Sequence, residues 1–308
     1  MEKLQLNLSG QLLKLPNKLL TFEPTHASRY WILAALLSEF DDAAKLRIID
    51  VGGKKGLLRF FLGFSPTVID MEEGDEPNYV QGSALKMPFQ DEEFDFAISC
   101  DVLEHIFEKD RTLFLAEMLR VSRRGIIFCA PFNNPGVSAS EIEMNGDHHH
   151  LTNQDHHWLN EHIDNGLPNE QIIEKIIQEQ GYKFSKFHHF SLDTWRFIVK
   201  VHLLQSAFND DKELTKTAQR IYEKYYRNVC SLDYAESGYR TFYLISKNGK
   251  LSINLPNSND SDLGRQEFIR SSTDQIFNIL ESKMREQRNL SAQLKKIDDT
   301  GKKEILRL

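Results

Sequence analysis

Histidines and carboxylates are the side chains of this chain best suited to moving a proton, and they are unevenly placed. Six of the eleven histidines (His148, His149, His150, His156, His157 and His162) fall within DHHHLTNQDHHWLNEH. His105 stands apart in DVLEHI, where an apolar run gives way to a turn. An imidazole beside a reacting hydroxyl can take its proton. Three consecutive histidines on an extended chain cannot converge on one ion, so the cluster reads as substrate contact and no metal is expected.

A second kind of chemistry comes from the backbone. In DVGGKKG, residues 50–56, glycines follow a strand directly. Gly52 and Gly53 can take positive φ and approach a nucleotide or nucleoside with no Cβ in the way, and Gly56 falls where the next helix packs on the sheet. Lys54 and Lys55 break the G-x-G-x-x-G spacing, which sets aside a nicotinamide-dependent oxidoreductase. Asp70 ends the next strand, twenty residues after Asp50, where a carboxylate can accept hydrogen bonds from both ribose hydroxyls.

These residues need a frame, and the hydrophobic pattern supplies one. Tyr30, Trp31, Ala34, Ala35 and Leu37 recur at helical spacing before the strand LRIIDV. Strands PTVIDME, NYVQGSA and FDFAISCDV follow, then the helix KDRTLFLAEMLRVS and the strand RRGIIFCAPF. Alternating strands and helices predict a parallel sheet covered on both faces. Residues 133–167 lose this pattern and read as a long irregular binding loop. The helix LPNEQIIEKIIQEQGY, the strand KFSKFHHF, a helical insertion over 191–237 and the strand YRTFYLISKNG complete the frame.

The stretch GSALKMPFQDEEFDFAISCDVLEH, residues 82–105, resembles the class I S-adenosylmethionine-dependent methyltransferases, especially those with a G-D-A-x-x-L-P-F-x-D-x-x-F-D run leading into an L-E-H turn. The likeness extends over about residues 27–190. It implies an α/β, Rossmann-like sandwich with a mostly parallel seven-stranded sheet. It further implies that S-adenosyl-L-methionine is held by Asp50, Gly52, Gly53, Gly56, Asp70, Met71, Ser83, Ala84 and Asp101. By the same likeness His150 matches a histidine that closes over the site, and His105 faces it, so these two are the catalytic candidates. Two positions depart from the family pattern. Lys54 replaces a small residue, and Ser83 stands where an aspartate commonly accepts from the adenine amine.

The implied reaction is methyl transfer, with a hydroxyl of a small molecule or saccharide as the expected acceptor. A catalytically degenerate interaction protein is the alternative. The net charge of −7 disfavours general attraction to nucleic acid, and no (Asn/Asp)-Pro-Pro-(Tyr/Phe) run follows the fourth strand. The longest apolar run, WILAALL, is too short to span a bilayer, and three scattered cysteines suit a reduced cytoplasm. The chain divides into an N-terminal extension (1–26), the methyltransferase domain (27–249, with insertions at 133–167 and 191–237), a linker (250–264) and a helical tail (265–308). The tail offers a route to a homo-oligomer.

Overall fold

A computed structural model describes residues 4–7, 20–40, 42–53, 57–75, 77–247, 249, 251–255 and 258–305. In chain order the elements are β1 (Leu4–Asn7), α1 (Pro24–Ser38), β2 (Ile48–Val51), α2 (Leu58–Leu62), β3 (Thr67–Asp70), β4 (Tyr79–Gln81) and β5 (Phe94–Cys100). Then come α3 (Arg111–Val121), β6 (Ser122–Pro131), α4 (Pro135–Thr152), α5 (His157–Asn165), α6 (Glu170–Glu179), β7 (Lys183–Ser191) and α7 (Leu192–Ala207). The last are α8 (Lys212–Asn228), β8 (Tyr234–Ala235), β9 (Gly238–Ser246), β10 (Leu251–Asn254) and α9 (Ser258–Ile305).

The main sheet runs β4-β3-β2-β5-β6-β9-β7-β8. Strands β4, β3, β2, β5 and β6 are parallel, and β9 enters antiparallel between β6 and β7. Every residue of β2 and of β5 is buried, as central strands covered on both faces require. Side-chain alternation divides them between two cores. Ile48, Phe96 and Ile98 pack with Trp31, Leu33 and Leu36 of α1, whereas Ile49, Val51 and Ala97 pack with Phe114, Met118, Ile173 and Ile177 of α3 and α6. Strand order reverses between β2 and β5, and the crevice beyond the carboxyl ends of such a pair is where open α/β sheets bind ligands.

Three expectations are corrected. The sheet has eight strands rather than seven, because two-residue β8 adds to the edge beyond β7. Residues 133–167 are mostly helical, forming α4 and α5 rather than an irregular loop. Asn134 caps α4 through Gly136 N, Pro135 opens its first turn, and Val137, Ser140, Glu141 and Met144 form its buried face. Two polar residues among those four explain why no hydrophobic period shows there. The stretch 250–264 is also not a plain linker: β10 pairs in parallel with β1, and α9 starts at Ser258. Ser, Asn and Asp are favoured at helix starts as well as in turns, so composition alone does not separate the two.

Helix α9 lays Phe268, Ser272 and Ile276, spaced by four, onto the body of the domain. Phe268 meets Phe197 of α7 edge-on and lies beside Tyr225 of α8. Among the described residues no helix is long and apolar enough to cross a membrane.

Candidate active site

The turn after β2 is held by geometry that only glycine permits. Gly52 has φ +81°, and its N–H donates to Ile69 O of the adjacent strand at 2.8 Å. A Cβ on Gly53 would lie 2.2 Å from Asp50 Oδ2, so the backbone passes directly over the Asp50 carboxyl. Asp50 is fully buried, and neither oxygen has a hydrogen-bond partner among the described residues. Burial, with some contribution from the nearby Asp70 charge, pushes its pKa up to about 7 despite the opposing field of Arg29. Gly56, together with Lys54 and Lys55, lies outside the described residues. A cavity of about 270 Å³ adjoins this turn, lined by Phe22, Glu23, His26, Leu57 and Phe60.

Asp70 closes β3, and its Oδ1 accepts from Glu72 N at 3.0 Å. Met71 is 74% exposed beside it, with its carbonyl accepting from Gln81 Nε2. Ser83 Oγ accepts from Leu85 N at 3.2 Å, so its hydroxyl is partly committed to a local turn, and Ala84 packs against the lower core.

Asp101 follows β5 in the left-handed conformation, φ +51°, and donates its N–H to Cys129 O. Its carboxylate binds Arg29 Nη1 of α1 and Arg240 of β9, the latter through Nε at 2.7 Å and Nη2 at 2.5 Å. Burial alone would raise its pKa, but Arg240 and Arg29 hold it well below the ordinary carboxylate range. Among the described residues, each guanidinium group keeps one buried donor without a partner, Arg29 Nε and Arg240 Nη1. Two cations around one anion leave a positive excess, and a carboxylate-bearing ligand would balance it.

Three residues further on lies a different arrangement. Glu104 and His105 occupy a short 3₁₀ turn, Leu103–His105, and His162 projects from α5. His162 Nε2 is 3.5 Å from His105 Nε2 and 4.0 Å from Glu104 Oε1. His162 Nδ1 lies 3.0 Å from Glu141 Oε1 of α4, which also accepts from Tyr239 OH at 2.8 Å. Glu161 Oε2 sits 3.1 Å from His105 Nδ1. Burial and the neighbouring His162 depress the His105 pKa, and burial with the Asp101 charge raises that of Glu104. Arg111 fixes the two segments together by donating to Ile106 O and Gly166 O, at 3.0 and 2.9 Å. Half-exposed Trp158 meets the His105 ring edge-on and marks the open side.

His150, by contrast, is exposed in the last turn of α4, and among the described residues no hydrogen bond or ring contact joins it to His105 or Asp101. Sequence reasoning did not single out Glu104, His162, Glu141 or the two arginines. The paired Glu-His steps at 104–105 and 161–162 were the available signal.

The methyltransferase domain family matches residues 63–130, from the end of α2 through β6. Comparison with curated proteins gives no match. Among solved structures, the chain is similar to an S-adenosylmethionine-dependent methyltransferase from Thermotoga maritima, at 12% identity over 75% of this chain and 92% of that one, TM-score 0.45. It is also similar to such an enzyme from Archaeoglobus fulgidus, at 15% identity over 70% and 93%, TM-score 0.41. A third is the magnesium protoporphyrin IX methyltransferase of Synechocystis with bound S-adenosylhomocysteine, at 14% identity over 53% and 78%, TM-score 0.37. Over residues 63–130, which span the strand tips flanking the switch point on the β3 and β5 side, this chain is similar to the methyltransferase domain family.

Proposed function

We propose that the chain methylates a hydroxyl of a small molecule or saccharide, with the acceptor activated at the His105–His162 pair. One observation carries this reading: His105, five residues beyond the tip of β5, pairs with buried His162 of α5 beside the switch point where the cofactor belongs. The residues fit the cofactor. Gly52 and Gly53 give backbone access, the Asp70 carboxylate suits ribose hydroxyls, and exposed Met71 with Ala84 offers apolar cover for adenine. The unpaired donors of Arg29 and Arg240 suit the amino-acid carboxylate. Asp101 then acts through these arginines, as the anion that positions them.

When bound, the cofactor supplies a methyl group already electrophilic on sulfonium sulfur. The chain's task is to align the acceptor oxygen about 3–3.5 Å from that carbon and exclude water. His105 Nε2 would accept the proton that a hydroxyl acceptor loses on methylation. Trp158, on the open side, would cover the acceptor. His162 rather than exposed His150 is assigned this role, because it is His162 that contacts His105.

The test is formation of S-adenosylhomocysteine with a panel of hydroxyl, amine and carboxylate acceptors. Hydroxyl acceptors should turn over, and His105→Ala should lower kcat about 10²-fold or more while leaving cofactor affinity within about threefold. Turnover confined to amines, or an unaffected His105→Ala enzyme, would overturn the reading.

A further inference from the structure

The Glu104–His105–His162 group has more acceptors than donors. Glu141 lies within hydrogen-bond distance of His162 Nδ1 and already accepts a hydrogen bond from Tyr239 OH, so as an acceptor it favours the His162 proton on Nδ1, which leaves a lone pair on Nε2. Glu161 Oε2, 3.1 Å from His105 Nδ1 though not aligned for a hydrogen bond, places negative charge on that side and so favours the same tautomer there. Two imidazole lone pairs then face each other across 3.5 Å. The Glu104 carboxylate, 0% exposed, borders them, and among the described residues neither of its oxygens finds a hydrogen-bond partner. One ligand atom from each of the three residues lies within 4.8 Å of the others.

The geometry points to a binding site for one divalent transition-metal ion, zinc being the best match, with Glu104, His105 and His162 as ligands. Nitrogens bound to tetrahedral zinc at ~2.05 Å stand about 3.3–3.4 Å apart, close to the observed spacing. Two imidazoles and a carboxylate form a zinc ligand set that leaves a fourth position open. Each imidazole has a carboxylate behind its other nitrogen, the support that metal-bound histidines commonly have. Buried Glu104 would otherwise hold two unsatisfied oxygens, a costly arrangement that a cation relieves. Partly exposed His105 and half-exposed Trp158 provide a path of entry.

The site stands on this geometry; only its use in catalysis rests on the reading above. If the ion were bound, Glu104, His105 and His162 would hold it, it would supply Lewis-acid acidification of a hydroxyl at the open position, and the base role given above to His105 would apply only to the metal-free protein.

The full-length chain, stripped with chelator and dialysed, should take up one equivalent of Zn²⁺ by calorimetry and metal analysis. Co²⁺ in its place should give the intense visible absorption of a low-coordinate site. Glu104→Gln and His162→Ala, each checked for folding by circular dichroism, should abolish stoichiometric uptake. Glu141→Gln, which removes no ligand, should weaken it about 10–100-fold. A folded protein that binds neither ion overturns the site. So does uptake that survives Glu104→Gln and His162→Ala but is lost when His148, His149 and His150 are replaced. Methyl transfer measured on the same samples separates the two claims: zinc uptake without turnover of any hydroxyl acceptor removes only the proposed function, and turnover without uptake removes only the metal.

Discussion

Asp101 and Glu104 are three residues apart at the same end of the sheet, and the chain treats them in opposite ways. Asp101 is gripped by two arginines from α1 and β9, so its charge ties together elements distant in sequence. Glu104 is more deeply buried and, among the described residues, has no hydrogen-bond partner. A buried carboxylate with its charge compensated is a structural strut. One left uncompensated costs stability and is retained where it does chemistry.

The largest expected effect separates them on stability. Asp101→Ala leaves Arg29 and Arg240 buried without their shared anion and should cost roughly 3–5 kcal/mol in denaturant unfolding. Glu104→Gln should leave stability unchanged or raise it while lowering turnover. A Glu104→Gln protein as unstable as Asp101→Ala would erase the distinction.

The glycine turn gives a second contrast, since its carboxyl, Asp50, is also unpartnered but is roofed by backbone. Gly53→Ala forces a Cβ onto Asp50 Oδ2 and should weaken S-adenosylhomocysteine binding at least tenfold with a drop in melting temperature. Unchanged affinity would show that the turn adapts and the cradle is not needed.

A smaller effect concerns pH. With its pKa raised from 3.8 to about 7, Asp50 is preferentially protonated in the folded chain, so the unfolded chain releases its proton first. Stability is then full below about pH 4 and declines as pH rises to about 7, by up to the order of 4 kcal/mol. Asp50→Asn should flatten that decline relative to wild type; parallel stability–pH curves would contradict it. The smallest effect is expected at His150, where replacement by Ala should change turnover less than about twofold.

How far the sequence reaches follows the same division. The strands and the order of motifs are legible because central strands are continuous apolar runs, and the tight turn after β2 announces itself in glycines. The cluster around Glu104 is not, because His162 and Glu141 arrive from helices whose buried faces include polar residues, and polar residues in a row read as loop. Neither could sequence show that Asp101 would be occupied by Arg29 and Arg240, 72 residues before and 139 after it. Such pairings depend on topology rather than spacing.

Binding of S-adenosylhomocysteine at the β2–β3 edge, followed by titration calorimetry of wild type and Asp70→Ala, tests the central claim most directly. The account predicts one equivalent bound by the wild type, and affinity at least tenfold weaker in Asp70→Ala with an unchanged melting temperature. No heat of binding from a folded wild-type protein, or equal affinity in both, would contradict it.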